Sequence, residues 1–284
     1  MVSSPAWKLA DRTFDLEQPI AAGIVNVTRD SMFEGARSGD PPQAIADGLA
    51  LAASGFDMLD VGAVAARSGP PVAAEAESEA LSETIAGLLQ AAELELPISA
   101  DTFSATAAEA ALAAGAVAVN DISGARDPEL FELCASSGAG LVLMQIEGPP
   151  REERDPPRYE DVIEHLKRWF ADRLEAAIAR GVSEQQIVLD PGIDFDLGVR
   201  DGLEVLRRLD ELRDLGRPLY VSLSRKDLLG AVLAGSWGER LPASDREAAT
   251  AAATALAVDR GASILRLHDA SALQSLRIAG AVVG

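Results

Sequence analysis

A closed (β/α)8 barrel forming one domain is the fold class this sequence predicts, and three observations point to it. Short apolar, strand-like segments alternate with amphipathic helical ones about eight times along 284 residues, and only helical crossovers can return a chain to start another parallel strand. That length suits one α/β barrel, which typically needs about 250 residues. Polar residues also stand at the end of one strand segment after another, where a barrel gathers its functional groups. An open doubly wound sheet is the alternative, but no GxGxxG turn follows any strand segment, so its usual nucleotide-binding chemistry is missing.

The single domain, residues 1–284, begins with WKLADRTFDL, read as a short β-ribbon at about 7–16 that closes the bottom of the barrel. The barrel strands follow as IAAGIVNVT, FDMLDVGA, PISADT, AVAVNDIS, GLVLMQI, IVLDPG, PLYVSLS and ILRLHD, each an apolar run bounded by turn residues. Between them ALSETIAGLLQAAEL, VIEHLKRWFADRLEAAIARG and GLEVLRRLDELRDLG repeat apolar residues with helical spacing, so each predicts a helix with a core-facing stripe. Extra length falls at 29–40, 64–74 and 147–158, each time after a strand. That puts the long loops on the C-terminal face of a barrel, where catalytic loops lie.

Composition excludes several function classes. A net charge of −20 repels nucleic acid and anionic membranes, and no apolar stretch approaches the roughly 18 to 20 residues of a membrane span. The start, MVSSPAWKLADR, lacks a basic then apolar signal sequence, so the cytoplasm is the expected location. One cysteine, Cys134, allows no intramolecular disulfide and no cysteine zinc cage. Its surroundings, LFELCASSG, make it a small core residue.

The strand ends carry Asn26, Asp60, Asp101, Asn120 with Asp121, Gln145, Asp190, Ser222 with Ser224, and Arg266 with His268. A barrel would converge these on one pocket. Single Asp, Asn or Ser residues at such turns often cap the next helix, the reading for Asp127 and Ser271, but capping does not account for eight strand ends in succession. Asp101, Asn120 and Asp190 suit a flat, nitrogen-rich heterocycle with an amino-pyrimidinone edge. Arg67, Arg225, Lys226, Arg266 and His268 suit an anion, since guanidinium groups grip phosphate oxygens with paired hydrogen bonds. Together they imply a heterocycle bearing a phosphate or diphosphate.

These residues lie in GIVNVTRDS, DMLDVG followed by Arg67, SADTF, VNDISG, LDPGIDF, SLSRK and RLHD, and in that order the chain resembles the dihydropteroate synthase family of pterin-binding barrels over nearly its whole length. The resemblance implies condensation of 6-hydroxymethyl-7,8-dihydropterin pyrophosphate with p-aminobenzoate to 7,8-dihydropteroate and pyrophosphate, in folate biosynthesis. It implies Mg2+ beside the pyrophosphate, with Asn26 as its ligand. Asp101, Asn120, Asp190 and Lys226 match the groups that grip the pterin, Phe195 flanks it, and Asp60 matches an aspartate of the active-site region. Arg67, Arg266 and His268 match the anion-binding set, and Ser224 a serine near the p-aminobenzoate pocket. Asp101, Lys226, Arg266 and His268 form the implied catalytic set. No protein nucleophile is required, because positioning and neutralisation of the leaving group supply the catalysis.

The chain departs from the family pattern in its loops. Arg29 replaces a proline, Val64, Ala65 and Ala66 stand for glutamate, serine and threonine, and Ser68 stands for proline. LMQI replaces Leu-Met-His-Met, and Phe195-Asp196-Leu197 replaces Phe-Gly-Lys. Losing hydrogen bonds of about 0.5–1.5 kcal/mol each would weaken binding without abolishing chemistry. Two other readings follow: a pterin-binding paralogue with lost or altered p-aminobenzoate activity, and a methyltransferase moving a methyl group from a folate to a corrinoid partner. The second has no need of SRK and RLHD. The small-residue faces of AATAAATALAVDRG and ASALQSLRIAGAVVG suit packing in a homodimer.

Overall fold

A strand buried on both faces reads as a continuous apolar run, because its side chains alternate between the two sides of the sheet. The computed structural model describes residues 5–27, 40–67, 71–91, 95–152 and 154–283. In it a hairpin of β1 (Ala6–Leu9) and β2 (Arg12–Asp15) precedes eight such strands. These are β3 (Ile20–Asn26), β4 (Met58–Gly62), β5 (Ile98–Asp101), β6 (Ala118–Asp121), β7 (Gly140–Met144), β8 (Ile187–Asp190), β9 (Leu219–Ser222) and β10 (Ala262–Leu267). They run parallel and close into a barrel in sequence order, with β10 pairing β3. This is the (β/α)8 architecture expected, and no strand is out of order.

Helices α1 (Pro41–Ala53), α2 (Ala74–Gln90), α3 (Ala105–Ala113), α4 (Glu129–Ser137), α5 (Val162–Ala179) and α6 (Val199–Arg207) each follow one barrel strand. Two helices, α7 (Asp227–Ala234) and α8 (Glu247–Asp259), follow β9, and α9 (Ala270–Val283) follows β10. Short polar side chains fix several starts: Asp40 accepts from Gln43 N before α1, and Asp161 from Ile163 N and Glu164 N before α5. Asp127 likewise accepts from Glu129 N. Ser271, in contrast, donates to Asp269, which accepts from Ala272 N.

The segment 202–216 differs from the one helix expected. The α-helix ends at Arg207, Arg208 leaves helical geometry (φ −114°, ψ 23°), and a 3-10 helix, Leu209–Leu215, continues. Arg208 at this break hydrogen-bonds Glu204 and Glu211 beside it in the chain and Asp161 at the start of α5, so one tertiary and two local ion pairs hold a corner that periodicity alone reads as continuous. Among the described residues no helix is long and apolar enough to cross a membrane. Cys134 is fully buried in the shell between helices and sheet.

Inside the barrel the lowest layer is apolar. Ala22, Met58, Ala118, Val142, Val188, Tyr220 and Ile264 pack against Trp7, Leu9 and Leu16 of the N-terminal ribbon. Trp7 is fully buried, and its Nε1 donates to the carbonyl of Gln186 at 2.8 Å. A side chain on Gly140 would lie 2.4 Å from Leu9 and 2.9 Å from Trp7, so glycine there makes room for the plug. Trp7→Ala should therefore cost about 3–5 kcal/mol of stability in urea unfolding, as expected for an emptied aromatic site. A loss below about 1 kcal/mol, within the range of ordinary surface substitutions, would show that the hairpin is not part of the core.

Candidate active site

Two residues further along the same strands, the interior changes character. Beyond Met58, Ala118, Val188, Tyr220 and Ile264 come Asp60, Asn120, Asp190, Ser222 and Arg266, and β5 adds Asp101. The period of two keeps these side chains on the interior face. All but Asp60 line a cavity of about 410 Å3, whose wall also includes Asn26, Arg67, Phe195, Ser224, Lys226 and His268. Thus Asn26, Arg67, Asp101, Asn120, Asp190, Phe195, Ser224, Lys226, Arg266 and His268 share one pocket. Arg29 and Ser68 lie outside the described residues.

Arg266 is the centre of the polar layer. Its Nε donates to Asp60 Oδ2 and its Nη2 to Asp101 Oδ2, both at 2.6 Å. Asp60 is fully buried and also accepts from Asn120 Nδ2 at 3.0 Å and Ser99 Oγ at 2.5 Å. Asp60, which the resemblance places in the active-site region, lies inside β4, and its side chain does not line the cavity. Its carboxylate instead fixes the orientation of two side chains that do reach the cavity, Asn120 and Arg266. Asp121 is similarly turned away, accepting from Ser123 N and Ala125 N in the loop after β6.

Burial sets the charge states. It pushes Asp101 up to about 7 against the pull of Arg266, with Asp60 adding to the rise, and it pushes Asp190 up to about 6 despite the Gly192 N–H, Lys226 and Arg266. Burial also opposes charge on Arg266, but Asp60 and Asp101 outweigh it and keep the guanidinium firmly protonated. Lys226 is brought down to about 8 by burial, with Arg67 and Arg266 contributing and Asp194 and Asp190 opposing. His268 falls to about 3 through burial beside Arg266 and Arg225. Burial and the neighbouring guanidinium groups thus favour the neutral imidazole, which can offer a hydrogen bond to an anion. Its Nδ1 lies 2.8 Å from Ser224 Oγ.

The SLSRK turn is held from outside its own strand. Arg225 has φ 58°, a left-handed conformation unusual for a side-chain-bearing residue. Its N–H donates to Thr250 Oγ1 at 3.0 Å and its carbonyl accepts from Arg246 Nη1 at 2.8 Å. Asp194 accepts from Leu228 N at the start of α7, linking the LDPGIDF loop to the same turn. Lys226 Nζ sits 4.7 Å from the centre of the Phe195 ring, near enough for a cation–π contact.

Sequence reasoning missed Asp227 and Arg246, which also line the cavity. Arg246 lies in SDREAAT, a polar stretch that reads as solvated surface, yet its side chain is 7% exposed and ion-paired to Asp227 at 2.7 Å. Only the return of the chain after α7 gives it a role. Two of the loop departures also find an explanation. Gln145 Nε2 donates to Glu147 at 2.7 Å, and Asp196 accepts from Glu147 N and Arg154 Nε, each at 2.7 Å. Gln145, Asp196 and Leu197 do not line the cavity; Asp196 ties the loop after β8 to the loop after β7, and Gln145 braces Glu147 within the latter. Val64, Ala65 and Ala66 do line the cavity.

Comparison with known proteins gives one family. Its model, described as pterin binding enzyme, matches residues 22–268. The dihydropteroate synthase of Synechocystis sp. is 36% identical over 256 residues, 89% of this chain and 86% of that protein. That of Mycobacterium leprae is 36% identical over 262 residues, 91% and 92% of the two. The Xanthomonas albilineans dihydropteroate synthase in complex with 7,8-dihydropteroate superimposes with a TM-score of 0.83 at 34% identity, covering 98% of both chains.

The Arg266 pairing makes a stability prediction. Arg266→Ala strands two buried carboxylates and should cost about 3–5 kcal/mol near neutral pH. A carboxyl whose pKa is raised on folding stabilises the fold while protonated; for Asp101 that contribution is complete below about pH 4 and lost as pH rises through about 7. Loss of Arg266 raises it further, so the deficit should be smallest in acid and grow towards neutrality. Urea unfolding across pH measures it, and a pH-independent deficit would contradict the pairing.

Proposed function

The chain belongs to the dihydropteroate synthase family of pterin-binding enzymes, and on that premise we propose how its cavity carries out the reaction. The enzyme is a transferase of folate biosynthesis acting on small molecules. It condenses 6-hydroxymethyl-7,8-dihydropterin pyrophosphate with p-aminobenzoate. The observation that carries the reading is the convergence of Asp101, Asn120, Asp190, Lys226 and Arg266 on one cavity.

In this proposal the amino-pyrimidinone edge of the pterin donates to the Asp190 and Asp101 carboxylates. Asn120 and Lys226 complete the hydrogen bonds, and Phe195 lies against the ring. The bond from the exocyclic methylene carbon to the diphosphate oxygen breaks, and its electron pair leaves with pyrophosphate. The amine nitrogen of p-aminobenzoate forms the new bond to that carbon and releases a proton to solvent. Arg67 and Arg266 stabilise the charge on the leaving group as it develops, the effect expected of preorganised donors in a site shielded from water. His268 adds a neutral hydrogen bond, and Ser224 fixes the imidazole.

For Mg2+, the donor chemistry at Asn26 fits. Its amide oxygen is a hard ligand on the cavity wall. Among the described residues no cluster of three or more His, Cys, Asp or Glu could hold a metal. Mg2+ commonly keeps waters and takes phosphate oxygens with few protein ligands, so Asn26 would hold it together with the diphosphate. When bound, the ion neutralises diphosphate charge.

Release of pyrophosphate that requires both substrates, measured in a coupled assay, tests the reaction; release independent of p-aminobenzoate would overturn it. Pterin binding needs Asp190 and Asp101 ionised and Lys226 protonated, so affinity should climb as pH passes through about 6 and about 7 and decline above about 8. Asp190→Asn should weaken binding by about 1–3 kcal/mol and leave an acid limb set by Asp101 alone, near 7. Calorimetry from about pH 5 to 9 spans both limbs, and a flat wild-type profile would remove Asp190 and Lys226 from the pterin site. Because Ala65 and Ala66 line the cavity, Ala65→Ser with Ala66→Thr should lower the KM for p-aminobenzoate. Each recovered hydrogen bond of about 0.5–1.5 kcal/mol gives roughly two- to twelvefold, and an unchanged KM would show that these positions do not meet it.

A further inference from the structure

Among the described residues, Asp227 is the one carboxylate of the cavity wall that the reading above leaves unused. Asp101 and Asp190 belong to the barrel's interior layer, whereas Asp227 opens α7 and keeps 37% of its side chain exposed. Its Oδ2 accepts from Arg67 Nη1 at 2.9 Å and its Oδ1 from Arg246 Nη1 at 2.7 Å. All three side chains line the cavity, yet they come from the loop after β4, the start of α7 and the turn before α8.

Arg246 is fixed independently of this carboxylate, since Nε donates to Leu241 O at 2.7 Å and Nη1 also to Arg225 O at 2.8 Å. Two guanidinium groups facing one pair of carboxylate oxygens form the arrangement that holds a ligand carboxylate or phosphate. Here the position is filled from within the protein. Among the described residues the wall carries five Lys and Arg side chains, Arg67, Arg225, Lys226, Arg246 and Arg266, and two of them are bridged by Asp227.

We infer, on the basis of the dihydropteroate synthase reading, that Asp227 is a resident counter-ion of an oxyanion subsite between Arg67 and Arg246, displaced when a substrate oxyanion binds. The oxyanion is the carboxylate of p-aminobenzoate or the diphosphate of the pterin. Both present oxygens to the same guanidinium groups. Asp227 lowers the affinity of that group by competing for its partners and by repelling it.

The sign of one substitution separates this role from simple positioning. Inorganic pyrophosphate with Mg2+, and then p-aminobenzoate in its presence, are titrated calorimetrically into the wild type, Asp227→Asn and Asp227→Glu. Neutral 4-aminobenzamide serves as the uncharged control. Asp227→Asn should tighten one of the two anions by about two- to thirtyfold, the span expected for the two partly exposed ion pairs it removes, with Asp227→Glu and the control close to wild type. Which anion tightens identifies the occupant. Unchanged or weaker binding of both anions would overturn the inference, and weaker binding would show that Asp227 only orients the guanidinium groups. Asp227→Ser carries the same expectation should the asparagine variant fail to fold. Wild type and all variants binding neither anion would overturn the proposed reaction as well, whereas an unaltered variant beside a wild type that binds overturns the counter-ion alone.

Discussion

The fork of Arg266 across Asp60 and Asp101 is the contact on which the site depends. A closed barrel is a packed interior, and a carboxylate there loses its water without gaining a partner unless a cation reaches it. Arg266 reaches two at once, each at 2.6 Å. Asp60 then orients Asn120, and the shared cation opposes the upward push of burial on Asp101. Without that fork the interior would hold charges with no compensation, and the catalytic layer would have no fixed geometry.

Function follows from how abruptly the interior changes. Below, Trp7 and the apolar layer seal the barrel; one pleat above, nearly every interior position is polar. The apolar layer excludes water from beneath, which strengthens each electrostatic contact in the layer above. Desolvation is accordingly the largest influence on Asp101, Asp190, Lys226 and His268 alike, bringing the first three within reach of neutral pH and discharging the fourth. A protein of net charge −20 thereby concentrates basic groups at one face, where anionic substrates must arrive.

The loops obey a different rule from the strands. Replacements at Gln145 and Asp196 read as lost substrate contacts in sequence, but in space they join Glu147 and Arg154 in a network that braces the loops after β7 and β8. Val64, Ala65 and Ala66 face the cavity with little capacity for hydrogen bonding. Two kinds of departure that look alike in the chain therefore differ in consequence: one exchanges partners within the scaffold, the other alters what a substrate meets.

By itself the sequence determined the barrel, its strand order, the plug and most of the cavity wall, because strand-buried residues repeat with a period of two and the functional ones stand at recurring strand ends. Asn26, Asp101, Asn120, Asp190 and Arg266 were legible for that reason, and Lys226 through the SLSRK motif. Only the tertiary structure decided which polar groups face a ligand and which face each other. Asp60 and Asp190 are both strand aspartates, yet one is enclosed by Arg266, Asn120 and Ser99 and the other lines the cavity. The neutrality of His268, the corner at Arg208 and the entry of Arg246 into the site belong to the same class. Each depends on partners brought together from distant parts of the chain, and burial, charge pairing and desolvation are properties of that assembled neighbourhood, which no local pattern of residues records.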